Sequence, residues 1–173
     1  YVADHAAGRT PNPCIECNRH LKFDRLVRRA DALGFDMIAT GHHARVVSTP
    51  AGPRLGRGVD AAKDQSYVLY VIEESVLARM LLPVGELTKA DVRRLAMDLD
   101  LRTAQKPESQ DVCFITNEHG RAAFLGQRIP LKPAAVVDRS GEQVGQVDSV
   151  EMVTIGQRKG LGLAAVSYTH LTL

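Results

Sequence analysis

The sequence is poor in cysteine, carries little net charge and contains no long hydrophobic run. Its 173 residues include only three cysteines, which does not suit the disulfide framework of a small secreted protein. No stretch of about 18 or more apolar residues is present, which argues against a transmembrane helix. The first residues lack the basic start and apolar core of a signal peptide, and they lack an initiator Met. We therefore expect an internal part of a longer cytoplasmic protein.

The charge balance gives no clear indication of a partner. A formal net charge of +2 does not by itself predict nucleic-acid binding. Basic residues are nevertheless clustered in NRHLKFDRLVRR, RLGRG and GQRKG. Such clusters occur both on solvated helix faces and on binding surfaces. Composition alone leaves both interpretations open.

The first third of the chain has the element order of an α/β domain. Residues 8–18 predict a loop, because Pro11 and Pro13 disfavour a regular helix. An amphipathic helix is predicted over 19–33, and the apolar FDMIAT (35–40) predicts a buried strand of a parallel sheet. The polar GHH follows at the carboxyl end of that strand, which is where α/β domains bind ligands.

The remaining pattern predicts helices first and strands later. Residues 48–64 are rich in Gly, Pro and Arg and indicate a flexible connection, and 65–81 indicate a helix with breaks. A clear helix is predicted over 87–101, where Thr88 and Asp91 resemble a capping box. Beyond about residue 116 the character changes. The segment 133–147 predicts a β-hairpin, and 152–163 predicts a strand entering a Gly-rich basic loop, together indicating a smaller β-rich domain.

The stretch NPCIECN holds two of the cysteines, Cys14 and Cys17. A CxxC can be half of a zinc site, part of a three-cysteine iron–sulfur site or a redox pair. A reactive nucleophile at Cys17 is also reasonable, because the start of a basic helix would favour its thiolate. The third cysteine, Cys113, lies beside the polar residues 108–111, and a buried structural role is its simplest interpretation. These alternatives stay open on local sequence alone.

Two further stretches could contact a ligand. Gly41 in ATGHH permits close approach of the backbone to a ligand, and His42 would project from the strand end. In KDQSY, Lys63 could contact a phosphate, whereas Asp64 could simply begin a helix. A polar loop without a ligand would look similar in both cases.

Five stretches together resemble a known family. In this order, GRTPNPCIECN, ATGHHAR, AAKDQSYVLY, ESQDVCFI and TIGQRKGLG are similar to the tRNA-specific 2-thiouridylases of the MnmA type. The resemblance covers nearly all of residues 8–163. It implies an α/β fold, in which residues 1–116 are the C-terminal part of a Rossmann-like PP-loop ATP-pyrophosphatase domain. It further implies an incomplete β-rich central domain over 117–165, with a non-native tail over 166–173.

The resemblance also implies a reaction. Such enzymes use ATP, with Mg²⁺ expected, to adenylate the C2 carbonyl oxygen of the wobble uridine in tRNA, and persulfide sulfur then replaces that oxygen. By motif, Cys113 matches the cysteine that carries the persulfide. Cys17 matches the second catalytic cysteine, which would leave a Cys17–Cys113 disulfide. The implied partners are tRNA and a sulfur donor, either a cysteine desulfurase or a sulfur-relay protein, with no membrane and no protein-bound structural metal.

Further residues are assigned by the same resemblance. Those matched to the target base are Asn12, Pro13 and Cys14. Gly41 matches an ATP contact. Those matched to tRNA contacts are His42, Lys63, Asp64 and Gln65. The family's SGGxDS phosphate loop is not found in these residues, so we expect the 173-residue chain alone to be inactive.

Two other functions are compatible with parts of the pattern. Another PP-loop ATP-dependent ligase would need no cysteine pair. A metal-stabilised RNA-binding module, with zinc or an iron–sulfur cluster, would need the cysteines only as ligands.

Overall fold

The computed structural model describes residues 1–106, 112–115, 120–157 and 159–161. The chain divides into two compact units. One unit is continuous and spans Pro13–Glu108, and the other joins Tyr1–Asn12 to Ser109–Leu173. The domain boundaries after residues 116 and 165 stay a prediction.

The unit Pro13–Glu108 contains short helices and two small sheets. Its helical elements are α2 (Pro13–Glu16), a π-helical segment (Cys17–Phe23), α3 (Asp24–Leu33), a 3₁₀ turn (Ser66–Val68), α4 (Glu74–Leu77) and α5 (Lys89–Asp98). Its strands are β1 (Ile38–Ala39), β2 (Ala44–Thr49), β3 (Gly52–Arg57) and β4 (Met80–Leu81). The described part of the other unit contains α1 (Val2–Ala6), α6 (Gly120–Gly126), β5 (Ala134–Val137), β6 (Gln143–Val147) and a 3₁₀ turn (Val150–Met152).

The first long helix begins earlier than the sequence predicts. Helical structure starts at Pro13 and runs through the π-helical segment to Leu33, so the predicted loop over 8–18 is wrong at its end. Proline is tolerated at the first position of a helix, because its missing N–H would have no intrahelical partner there. Cys14 and Cys17 therefore both lie on helix. The helix ends at Gly34, in left-handed conformation, as predicted.

A pair of parallel strands confirms the α/β class. Ile38 pairs with Met80 and Ala39 with Leu81 in parallel register. Ile38 and Met80 are buried in the main hydrophobic core, together with Phe23 of the π-helical segment. Of the strand predicted over 35–40, only Ile38 and Ala39 are confirmed as strand. Its flanking apolar residues Phe35 and Met37 are exposed.

The stretch predicted to be flexible is an antiparallel hairpin. Strands β2 and β3 pair from Ala44 with Arg57 to Thr49 with Gly52. The turn is closed by Thr49, whose hydroxyl donates to the Gly52 carbonyl at 2.8 Å and accepts from the Ala51 N–H at 3.2 Å. Gly52 has a φ of 101°, a conformation that favours glycine. Pro50 and Gly52 therefore lie at the turn, whereas Pro53 and Gly56 are accommodated within β3.

The hairpin predicted over 133–147 is confirmed by the antiparallel pairing of β5 with β6. The strand predicted from residue 152 is wrong, because Val150–Met152 form a 3₁₀ turn. The buried carboxylate of Glu151 accepts hydrogen bonds from the Lys132 N–H at 3.0 Å and the Ser149 hydroxyl at 2.9 Å, which fixes the turn. Residue 158 and residues 162–163 of this prediction lie outside the described residues.

The helix predicted over 87–101 is confirmed as α5. Thr88 is its N-cap, and the Thr88 hydroxyl accepts a hydrogen bond from the Asp91 N–H at 3.2 Å. The segment before it, predicted as a broken helix, contains a 3₁₀ turn and the short α4 and then ends in β4. Within the described residues, no helix combines the length and apolar character needed to cross a membrane.

Replacing Thr88 by alanine is expected to lower the free energy of unfolding by about 1 kcal/mol, because α5 loses its N-cap. Urea denaturation followed by circular dichroism measures this difference. Thr88→Ser keeps the hydroxyl and serves as the control, with an expected change below about 0.5 kcal/mol. An alanine variant as stable as wild type would contradict the capping role.

Candidate functional site

Cys17 lies at the first position of the seven-residue π-helical segment and is half-buried. Hydrogen bonds between residues five positions apart define this geometry, which occurs frequently at functional sites. Behind it, Cys14 and Ile15 pack against the hydrophobic core. The next residue, Asn18, is only 1% exposed. The helix that carries the Cys17 thiol is thus held against the core by the residues on either side of it.

Asn18 joins the cysteine stretch to the KDQSY stretch. The Asn18 Nδ2 donates a hydrogen bond to the carbonyl of Val68, the residue after KDQSY, at 3.2 Å, whereas its buried Oδ1 has no hydrogen-bond partner among the described residues. The KDQSY stretch is in turn joined to GHH. The Gln65 N–H donates to the His43 carbonyl at 2.9 Å, and the His43 N–H donates to the Gln65 Oε1 at 2.9 Å. Three of the stretches picked out in the sequence therefore meet in one unit.

Asp64 has an internal role in this arrangement. One carboxylate oxygen accepts from the Gly58 N–H at 2.9 Å and the Ser66 N–H at 3.2 Å, and the other accepts from the Ser66 hydroxyl at 2.7 Å. Burial raises the pKa of Asp64, but these hydrogen bonds outweigh it and hold the pKa below its usual value. Asp64 itself is not the N-cap of the 3₁₀ turn, because that position is Gln65. The tRNA contact of Asp64 stays a prediction. Lys63 beside it is half-buried.

His42 is a buried, neutral imidazole. Its side chain is 9% exposed, its Nδ1 lies 2.9 Å from the Thr40 hydroxyl, and its ring centroid lies 5.9 Å from that of Phe23. Burial, with a smaller contribution from the charge of Lys22, lowers the pKa of His42 to about 4. A contact from His42 to RNA would therefore be a hydrogen bond or a stacking contact rather than an ion pair with phosphate.

This pKa has a consequence for stability. The unfolded chain binds a proton at His42 below pH 6.5, whereas the folded chain does so only below about 4. The free energy of unfolding should therefore fall as the pH decreases from about 6.5 to 4. His42→Gln should remove this contribution, and NMR titration of the His42 ring should show a midpoint near 4. A midpoint near 6.5 would contradict the buried neutral state.

Two glycines that the sequence analysis did not single out allow close backbone contacts around these residues. A Cβ at Gly58 would lie 2.7 Å from the His43 carbonyl oxygen. A Cβ at Gly85 would overlap the Ala44 carbonyl. Gly41 differs, because it is exposed and no atom lies within 4 Å of a Cβ added there. The backbone at Gly41 therefore leaves room for a ligand such as a nucleotide.

Cys113 belongs to the other compact unit and is exposed, so a buried structural role is wrong. The next residue, Phe114, holds the Cys113 segment in place through aromatic contacts. The Phe114 ring packs edge-on against Tyr1 at 5.2 Å and lies 5.5 Å from the ring of Phe124. Ile115 is buried. The polar neighbours in this prediction, residues 108–111, all lie outside the described residues.

The predicted residues are divided between the two units. The unit Pro13–Glu108 contains most of them, namely Pro13, Cys14, Cys17, Gly41, His42 and the KDQ stretch. Pro13 and Cys14 are half-buried. The exposed Asn12 and Cys113 lie in the other unit. None of the three cysteines forms a disulfide in this structure. Among the described residues, no three His, Cys, Asp or Glu side chains are grouped so that they could hold a metal ion.

Comparison with known proteins identifies the family. Residues 1–117 match the family model described as the tRNA methyl transferase HUP domain. The chain belongs to this family. The match supports the Rossmann-like α/β class of the fold, and it covers both cysteine-bearing segments.

Relatives of this family have names that agree with the resemblance seen in the sequence. A tRNA-specific 2-thiouridylase MnmA of Carboxydothermus hydrogenoformans is 50% identical over 168 residues, which cover 95% of this chain and 46% of the relative. Those of Mycolicibacterium smegmatis and Thermobifida fusca are 49% and 44% identical and cover 95% and 100% of this chain. The resemblance to the 2-thiouridylases is thus confirmed. The chain spans about half the length of these relatives.

Proposed function

We propose that the protein containing this chain installs sulfur at position 2 of the wobble uridine in tRNA, as a tRNA-uridine 2-sulfurtransferase. The observation that carries the proposal is the identity of 44–50% to proteins named tRNA-specific 2-thiouridylase over at least 95% of the chain. The half-buried Cys17, at the start of the π-helical segment, and the exposed Cys113 support it, because sulfur transfer needs accessible thiols.

The proposed reaction begins with adenylation of the C2 carbonyl oxygen of uridine at the expense of ATP, accompanied by Mg²⁺. The oxygen then leaves as part of AMP. Gly41 would contact the nucleotide, and its exposed backbone fits that role. The remaining nucleotide contacts would come from outside the 173 residues. We therefore expect the chain by itself to make no 2-thiouridine.

Sulfur transfer would involve both cysteines. Cys113 carries the outer sulfur as a persulfide, which it receives from a cysteine desulfurase or a relay protein. The outer sulfur forms the new bond to C2, and the Cys17 thiolate attacks the inner sulfur on Cys113. The S–S bond of the persulfide breaks, and a Cys17–Cys113 disulfide forms. Two thiols are thereby oxidised while the transferred sulfur becomes the thiocarbonyl, so electrons balance.

The target base would lie against Asn12, Pro13 and Cys14, beside the nucleophile. Contacts to tRNA would involve Lys63, with His42 as an uncharged neighbour. Asp64 and Gln65 would act by holding this loop against the backbone of Gly58 and His43. We place the protein in the cytoplasm, where tRNA is modified, and we assign the hairpin β5–β6 to a small central domain.

The proposal is tested by complementation. Full-length protein is produced in a bacterium that lacks its own 2-thiouridylase, and nucleosides from its tRNA are separated and measured by mass spectrometry. The expected result is restoration of 2-thiouridine. Another PP-loop ligase or a metal-stabilised RNA-binding module would restore none.

A further inference from the structure

Four exposed cations on one helix lack an ion-pair partner among the residues that the structure describes. The side chains of Lys22, Arg25, Arg28 and Arg29 make no salt bridge and no hydrogen bond with any described residue. We call these four residues the basic face. They lie on the π-helical segment and α3, directly after Cys17.

The acidic residues nearest in sequence are paired with other groups. Glu16 lies 3.7 Å from Arg19 and 3.2 Å from His20. Asp24 lies 3.4 Å from His20. Asp31 pairs with Arg79 of the segment before β4 at 2.7 Å. The basic face thus forms no ion pair with these carboxylates. Its four positive charges exceed the one negative charge of Asp24, whose neighbour His20 is a cation only when protonated.

The basic face points away from the core. Phe23 and Ala30, which are 3% and 5% exposed, mark the buried side of the helix. Lys22, Arg25 and Arg29 follow the three- and four-residue spacing that places side chains in one row. At a rise of about 1.5 Å per residue, this row is about 10 Å long. That length matches about three successive phosphates of one nucleic-acid strand, at about 3.4 Å each along the axis.

The row of basic side chains begins close to Cys17. In a π-helix, hydrogen bonds join residues five positions apart, and Lys22 is five positions after Cys17. Lys22 therefore lies about one turn from Cys17 along the helix. Resting on the function proposed above, we propose that the basic face binds the phosphate backbone of the RNA whose base reaches Cys17. Exposed guanidinium groups without carboxylate partners suit phosphate oxygens, which they bind in bidentate geometry.

The test compares two double variants of the full-length protein that each lose two positive charges. Arg25→Gln/Arg29→Gln changes the basic face. Arg54→Gln/Arg94→Gln is the control, because these arginines are exposed but pair with Glu74 and Asp91. Binding of an unmodified tRNA transcript is measured between 50 and 200 mM salt. Glutamine is a good helix former, so α3 should persist, which circular dichroism checks.

The basic-face variant should bind tRNA about 10-fold more weakly, and the slope of log Kd against log salt should fall by about 1.5, as expected for two lost phosphate contacts. The control should keep the wild-type slope. Equal Kd and slope for the basic-face variant and wild type would overturn the inference. If wild type also forms 2-thiouridine in that case, only the proposed RNA-binding role of the basic face is wrong, and the proposed function stands. A reduced slope in a protein that forms no 2-thiouridine would instead refute the proposed function and keep the RNA-binding face.

Discussion

Cys113→Ala should abolish 2-thiouridine formation in the complementation assay, with a loss of at least about 10³-fold. The reason is that no other group at this position can carry the persulfide sulfur, and removing a covalent carrier removes the step itself. Cys17→Ala should cause a loss of the same order. Combining the two should cost little more than either alone, because residues acting in one step are not additive.

Cys14 provides the matched comparison for these variants. It is half-buried like Cys17 and lies one helical turn before it. Cys14→Ser should reduce activity by less than about 10-fold, since its proposed role is contact with the base rather than sulfur transfer. Immunoblotting shows whether each variant accumulates to the same level. Wild-type amounts of 2-thiouridine from Cys113→Ala would contradict the persulfide role.

Gly85→Ala should cause the largest loss of stability in the unit Pro13–Glu108. A Cβ at Gly85 would overlap the carbonyl group of Ala44, which is backbone at the start of β2 and is fully buried. Because backbone cannot move aside as a flexible side chain does, the free energy of unfolding should fall by about 3 kcal/mol or more. Urea denaturation of the 173-residue chain, followed by circular dichroism, measures the change.

Gly41→Ala is the control for this substitution. A Cβ at Gly41 meets no atom within 4 Å, so stability should change by less than about 0.5 kcal/mol. Equal stability of the two variants would show that the segment before α5 does not pack closely on β2.

The elements set by local chemistry were predictable from sequence. Thr88 and Asp91 marked the start of α5, Gly34 marked the end of α3, and the turn DRSG between two β-rich runs marked the hairpin β5–β6. In each case the decisive interaction joins residues close in sequence, so the pattern contains the information.

Other features depend on contacts between distant residues and were not predictable. Pro13 could end a loop or begin a helix, and packing of Cys14 and Ile15 on the core decides for the helix. The buried Asn18 looks like an ordinary polar residue until its hydrogen bond to Val68 is seen. Gly58 looked like part of a flexible stretch, although it allows the close approach of the His43 backbone.

The candidate site was likewise predictable from the sequence only in part. The residue types came from the motifs, and the structure added that His42 is uncharged and that Asp64 and Gln65 are engaged with the backbone. Neither property follows from local sequence, because burial and hydrogen bonding are set by the tertiary fold. The proposed roles of Cys17 and Cys113 come from the family resemblance.

The proposed transfer of sulfur from Cys113 to uridine, with Cys17 as the attacking thiol, is tested most directly by a single turnover. Full-length protein carrying a persulfide on Cys113 is mixed with ATP and unmodified tRNA, then acid-quenched and digested for mass spectrometry of the cysteine peptides. One Cys17–Cys113 disulfide is expected for each 2-thiouridine formed. Formation of 2-thiouridine while Cys17 is recovered entirely as a thiol would contradict it.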